Sequence, residues 1–472
     1  MNTVHSYSER TQQESIRKRL ASRDNGFVCF TFTDDDTIPG MFDEQVARHA
    51  HKSAIIDSDR SVTYEELARL ANDVGHALIR ANPSFRAPVA LLIARPSSFV
   101  PAMLGVLRAG GFYVPLDPLF PEDCNARILE ACRARCILTE RAHYPLAQCL
   151  ARAGQVVICV DEIHHEFLEV VDRSAPKDPA CIIFSSAATG RPKGTVQTHQ
   201  TILAVVQRYT NSLFAGFQDR VSLLSSSSVT ASIGTIFGAL LNGATLCGFS
   251  VREHGVSALA DWLDSERITI YRSISSMFRN LSWCVSSDRV FATVQVVCLG
   301  DTLFKSDLDL FTRHFPCGCA LVNFYGCSEL SSAACFYMDA ASQLADGVLP
   351  VGFPLEGIAI SVATGNGLVN WVSGDPHPKT APTDLGEIAL KSRNLSPGYW
   401  NDAEATARSF ALVDWQRDGW RTFRTGDWGI MRAEDGLIHL GREDEQVKQS
   451  GVRNAAVTIH RPEASDESAR DI

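Results

Sequence analysis

The chain has 472 residues, 45% hydrophobic and 21% charged, with a mean hydropathy of -0.02; at roughly 150 residues per domain that allows about three domains or one large layered body. This composition excludes a disordered, fibrous or peptide-sized molecule. With 44 Lys and Arg against 54 Asp and Glu the net charge is -10, so no general positive field exists to hold nucleic acid or an anionic membrane, and only a local basic site could serve an anionic ligand.

Residues 1–37 are polar and lack sustained periodicity, so they read as a variable leader with at most one short helix. They contain no apolar signal-peptide core, and the 14 cysteines lie scattered between residues 29 and 335, which together point to a reduced, cytoplasmic chain. The close pairs Cys132/Cys136 and Cys317/Cys319 lack a second pair or a histidine cluster at zinc-ligand spacing and read as ordinary thiols.

From Ile38 short apolar runs alternate with helical patterns. SAIIDSDRSVTYEELARLANDVGHALI reads as a pair of strands and a helix, VALLI as a buried strand, and VLRAGGFYVPL as a helix entering a strand through a glycine turn. CILT, QVVICV and CIIF continue as buried strands. The rhythm predicts an α/β fold of layered, largely parallel sheets with flanking helices.

Residues 221–251 carry no charge, and Gly234 and Gly238 form a small-xxx-small pair, so the stretch is long enough to span a membrane. Its serines, Thr230 and Asn242 interrupt it, and a buried helix over residues 233–241, ended by Asn242-Gly243, is the better reading. After about residue 349 the texture changes to short strands with turn signals, which predicts a small β-barrel. No repeat of 20–50 residues is visible.

The segment CIIFSSAATGRPKGT, residues 181–195, empties an apolar strand into a loop of Ser185, Ser186, Thr189, Gly190 and Gly194 with Arg191 and Lys193. Exposed backbone N–H groups, hydroxyls and two cations suit a polyphosphate. It is not a Walker A loop, because the lysine precedes a glycine and follows Pro192.

Three further runs follow in order: NFYGCSE (residues 323–329), FRTGD (423–427) and GREDEQVK (441–448). Together the four resemble the motifs of the adenylate-forming superfamily, which includes nonribosomal peptide synthetase adenylation domains, acyl-CoA synthetases and luciferases. VTYEEL (62–67) and LRAGGFYVPLD (107–117) are weaker echoes, closest to the peptide-synthetase branch. The likeness runs over about residues 38–453 and implies an adenylation core at 38–440, a hinge motif at 441–453 and a tail at 454–472.

The resemblance implies ATP and Mg²⁺ as cofactors and assigns roles by motif. Ser185, Ser186, Thr189, Gly190 and Lys193 would hold the β- and γ-phosphates; Glu329 would hold Mg²⁺, with Ser328 near the α-phosphate and Tyr325 against adenine. Asp427 would take the ribose hydroxyls, assisted by Arg442, while Gly300, Asp301 and Gly326 complete the nucleotide set and Asp444 sits at the hinge. Lys193, Ser328 and Glu329 are the implied catalytic groups. By the same anchoring the acyl pocket comprises Thr230, Ala231, Gly234, Arg272, Val297, Leu299, Phe324, Ser332 and Ala333. Arg272 either pairs with a second acid group on the substrate or lies on the surface.

Three departures from the family pattern bear on function. Ala187-Ala188 replace residues that supply a hydroxyl and a flexible glycine, so the phosphate grip is expected to weaken. Thr230 stands where peptide-synthetase domains place an aspartate for the substrate ammonium, and a buried unpaired ammonium is costly, which disfavours an ordinary α-amino acid. The family's C-terminal lid, with its lysine, has no counterpart in residues 454–472; the open alternatives are a truncated sequence, a lid supplied by another chain, or a degenerate protein. The expectation is therefore an AMP-forming acid–thiol ligase core with incomplete machinery, acting on an aryl, hydroxy or fatty acid and passing it to a carrier protein or CoA. The alternative is a truncated remnant that binds ATP or an acyl ligand without efficient turnover.

Overall fold

The computed structural model describes residues 2–58, 60–81, 86–164, 170–185, 192–364, 367–373, 385–411, 419–442, 446–449 and 452–455. The short apolar runs become two sheets. One has six strands in the order Val156–Cys159, Cys136–Thr139, Pro88–Leu92, Phe112–Leu116, Pro179–Ser185 and Lys193–Thr198; all neighbours are parallel except the last pair. The other has nine, and its parallel centre runs from Ala320–Cys327 through Val296–Leu299, Ile270–Ser273, Arg220–Leu223 and Thr245–Gly248 to Ser53–Ile56.

Helices fill the space between these sheets and cover both outer faces. Pro96–Arg108, His199–Leu213 and Thr230–Leu240 lie in the central layer, where their apolar residues share one core with Val89, Leu91 and Ile183 of one sheet and Ile55, Val221 and Leu246 of the other. Ser275–Cys284 and Lys305–His314 cover the far face of the nine-stranded sheet; Glu122–Cys132 and Tyr144–Leu150 cover that of the six-stranded sheet. The result is the layered α/β arrangement expected from strands buried on both faces.

The charge-free stretch at 221–251 is explained by this enclosure. Its helix, Thr230–Leu240, is buried from Ser232 to Leu240 by protein rather than lipid, and Gly238 lets the Tyr209 ring come within 2.4 Å of where a Cβ would stand. Among the described residues no helix is long and apolar enough to cross a membrane.

A curled antiparallel sheet follows, built from Gly367–Val372, Ile358–Thr364, Gly386–Ser392, Arg421–Arg432 and Phe410–Ala411, with Gly436–Arg442 paired to Arg421–Arg432. It begins at Ile358 rather than near residue 349, because Phe353–Pro354 still pairs with Ser331–Met338 of the nine-stranded sheet.

The N-terminal expectation is corrected. Asn2–Ala21 is one 20-residue helix whose Ile16 and Leu20 are fully buried. The Gln13 amide acts as a strand substitute: it accepts from Tyr337 N–H at 2.9 Å and donates to Tyr337 O. Arg19 pairs with Asp339, and Arg23 and Asn25 with Asp219. The helix is anchored mainly by polar groups, which leave little hydrophobic periodicity to read.

Candidate active site

The centre of the site is the turn Ser328-Glu329-Leu330, which joins the antiparallel strands Ala320–Cys327 and Ser331–Met338. Gly326 is required there, since a Cβ would stand 1.8 Å from Ser331 O. All three turn carbonyls are held by groups from different segments. Gln197 Nε2 donates to Ser328 O at 2.7 Å, Ser396 N–H to Glu329 O at 2.8 Å and Arg208 Nη2 to Leu330 O at 2.8 Å. Arg208 is buried, and that burial lowers its pKa to about 10.

Glu329 is 4% exposed. The Tyr399 hydroxyl donates to its Oε1 at 2.6 Å, while Oε2 is buried with no hydrogen-bond partner among the described residues. An orphaned carboxylate oxygen is a costly feature unless something binds it, and a hard anionic oxygen suits Mg²⁺. Lys193, at the start of its strand, places Nζ 3.6 Å from the centroid of the Tyr399 ring. Lys193, Glu329 and Tyr399 line a cavity of about 250 Å³ that extends to Arg424, Gly426 and Arg442.

Next to Gly426, the strand Arg421–Arg432 carries Asp427, whose register partner is Arg442. Asp427 Oδ1 accepts from Arg442 Nη1 at 3.2 Å and Oδ2 from the Tyr325 hydroxyl at 2.7 Å. Its backbone N–H donates to Thr425 Oγ1, which itself donates to Ile388 O. Burial, then the Asp427 charge, pushes the Tyr325 phenol far above its ordinary pKa, so it remains a donor. The His439 ring tilts against Tyr325, and its Nε2 lies 3.9 Å from Asp427 Oδ2.

The acyl-side residues are only partly brought together. Thr230 Oγ1 lies 3.1 Å from Ser328 Oγ, joining the start of the central helix to the Glu329 turn. Arg272 is half-buried, not a surface arginine: its guanidinium lies 5.2 Å from the Tyr209 ring centroid, beside Gly234. Phe324 and Ala333 belong to the same inter-sheet core as Tyr209, while Ser332 is partly exposed and Ala231 exposed. Val297 and Leu299 are a correction. Arg272 pairs in register with Cys298, so Val297 and Leu299 alternate to the opposite face and pack with Tyr271, Phe278 and Leu308.

Of the nucleotide set, Ser185 ends its strand with Oγ 3.5 Å from Lys193 O, Gly300 lies next to Phe324 O, and Asp301 accepts from the Ser275 hydroxyl and from Thr302 N–H. Ser186, Thr189, Gly190 and Asp444 lie outside the described residues, as do Ala187 and Ala188. Sequence reasoning missed Tyr399, Arg208, Gln197 and His439. Each sits in an ordinary helix, strand or turn pattern that carries no sign of its contact with the site.

A buried acid, a lysine and Arg442 thus line one cavity, and Arg442 pairs with Asp427, all borne on layered α/β sheets and a curled antiparallel sheet. The chain belongs to the family of AMP-binding enzymes, whose model matches residues 42–400. It is 28% identical over 421 residues to tyrocidine synthase 1 of Brevibacillus parabrevis, covering 88% of this chain and 37% of that protein. It is 26% identical over 427 residues to zwittermicin A synthase ZmaJ of Bacillus cereus, covering 88% of this chain and 78% of that protein. The chain thus spans little more than a third of the first of these relatives. Among solved structures, the nonribosomal peptide synthetase FmoA3 superposes with a TM-score of 0.76 at 26% identity, over 92% of this chain and 45% of that one. The Klebsiella oxytoca NpsA N-terminal subdomain shares the fold, with a TM-score of 0.71 at 22% identity, over 86% of this chain and 100% of that one. The layered body is therefore that of the N-terminal core of adenylation domains.

Proposed function

We propose that this chain activates a carboxylic acid with Mg·ATP as an acyl-AMP and passes the acyl group to a carrier-protein phosphopantetheine thiol or to CoA. The acid is an aryl, hydroxy or fatty acid rather than an ordinary α-amino acid. One observation carries the reading: the buried Oε2 of Glu329 is unpartnered in the cavity that Lys193 and Arg442 also line. Membership of the AMP-binding family supports it, as does a form of FmoA3, at 25% identity and TM-score 0.75, solved with AMPPNP.

In this reading a substrate carboxylate oxygen bonds to the α-phosphorus as the bond to pyrophosphate breaks. The bound magnesium would neutralise phosphate charge. Glu329 would offer Oε2 to that cation, Lys193 would meet the outer phosphates, and Ser328 would orient the α-phosphate. Asp427 is an acceptor-only group suited to two ribose hydroxyls, and Arg442 holds it in place. Thr230 supplies no counter-charge for an ammonium, so the acyl end favours an uncharged α-substituent.

Pyrophosphate exchange across a panel of amino, aryl, hydroxy and fatty acids tests this directly. Exchange with one of the last three classes is expected; exchange best supported by an α-amino acid would overturn the substrate assignment. A second reading, nucleotide binding without efficient turnover, rests on Ala187-Ala188 in the phosphate loop and predicts ATP binding with no exchange for any acid.

A further inference from the structure

Tyr399 touches both charged groups at the centre of the cavity through different parts of its side chain. Its hydroxyl donates to Glu329 Oε1 at 2.6 Å, and its ring face carries the Lys193 ammonium at 3.6 Å. We propose that Tyr399 is a positioning residue that keeps the carboxylate of Glu329 and the ammonium of Lys193 apart, one carboxylate oxygen being tied down and the other presented to a divalent cation. The proposal rests on the reading that the cavity takes a metal–nucleotide complex.

The local structure fixes Tyr399 more firmly than a chance contact requires. Its backbone lies along the strand that bears Lys193: Val196 N–H donates to Gly398 O, Trp400 N–H to Gly194 O at 2.7 Å, and Thr195 and Tyr399 form a bridge. Ser396, three residues before it, donates its N–H to Glu329 O and its hydroxyl to Val196 O. Arg421 holds the carbonyls of Ser396 and Pro397. One segment therefore stitches the lysine strand to the Glu329 turn, with Tyr399 between them. The ring packs edge-on against Phe410.

The chemistry follows from what each contact prevents. A buried carboxylate and an ammonium in one cavity attract strongly, and a closed ion pair between them would leave the carboxylate less able to take a metal. The phenol satisfies one oxygen of Glu329 without neutralising the acid, and the π face attracts the ammonium of Lys193. Partners of metal-binding carboxylates act this way on metal affinity.

Tyr399→Phe keeps the ring and removes the donor. Mn²⁺ binding, followed by electron paramagnetic resonance with AMPPNP present, is expected to weaken about tenfold, within the range for such partners. AMPPNP binding in EDTA and the melting temperature should stay near wild type, because the ring, its packing and Lys193 remain. A double-mutant cycle with Glu329→Gln separates positioning from general damage: if Tyr399 acts through the Glu329 carboxylate, its substitution adds no further Mn²⁺ loss in that background. Wild-type Mn²⁺ affinity in Tyr399→Phe, an equal loss of metal-free AMPPNP, or additive losses in the cycle would each overturn the proposal. Failure of the wild type to bind AMPPNP under any condition would instead remove the nucleotide reading, and the proposal with it.

Discussion

The hydroxyls of Thr230 and Ser328 lie 3.1 Å apart and form a hydrogen bond between residues 98 positions distant in the chain. Thr230 opens the helix of the central layer, and Ser328 opens the turn that carries Glu329. In the proposed reading, the contact would put the start of the acyl side within one hydrogen bond of the group that meets the α-phosphate, as a reaction joining the two requires.

Thr230→Asp would place a carboxylate at that contact, where Ser328 can donate to it. It is expected to shift ligand preference from deaminated or aryl acids toward the matching α-amino acids, measured by competition in pyrophosphate exchange. If wild-type protein already prefers the amino acids, Thr230 is not the residue that faces the substrate's α-substituent.

Asp427→Ala removes the acceptor shared by Tyr325 and Arg442. ATP affinity is expected to fall by roughly 1.5–3 kcal/mol, the range for hydrogen bonds to a charged group. Titration calorimetry showing wild-type affinity in the variant would remove Asp427 from the nucleotide site.

Arg208→Met keeps the length of the buried side chain but leaves Leu330 O without its donor. An orphaned buried carbonyl costs about 1–3 kcal/mol, and the loss should appear in denaturant unfolding. Nucleotide binding should weaken alongside it, because the same turn orients Glu329. Unchanged stability would show that the turn does not need this support.

His199 opens the helix His199–Leu213 and accepts from Ile38 N–H through Nδ1, with its ring fully buried. Burial lowers its pKa to about 4 from 6.5. The unfolded chain therefore binds a proton that the folded chain refuses, so stability present above about pH 6.5 is lost as the pH falls toward 4. The loss is on the order of 3 kcal/mol. His199→Asn retains an acceptor without a titrating group, so its unfolding free energy should fall less steeply over that window. Parallel pH profiles for the two proteins would assign the acid sensitivity to other groups.

The alternation of short buried strands with helices was legible because strands covered on both faces must be continuously apolar, as in Val89–Leu92 and Cys136–Leu138. The motifs likewise carried Lys193, Glu329 and Asp427, whose chemistry is local to each run. What escaped was relational. Nothing near Tyr399 in the chain reveals that its hydroxyl meets an acid 70 positions away. Val297 and Leu299 were placed by alignment to a pocket, yet strand alternation turns them to the other face of the sheet. The first helix was misjudged because Gln13 and Arg19 help anchor it, and Arg23 the chain just beyond it, through polar contacts that periodicity does not register.

The three carbonyl clamps on the Ser328-Glu329-Leu330 turn come from the six-stranded sheet, the inter-sheet helix and the segment between two strands of the curled sheet. No single layer can shape that loop by itself, so in the proposed reading the binding of cation and nucleotide would require all three to be in place. A nascent or protease-nicked chain missing any one contributor would keep much of its secondary structure yet have no working centre.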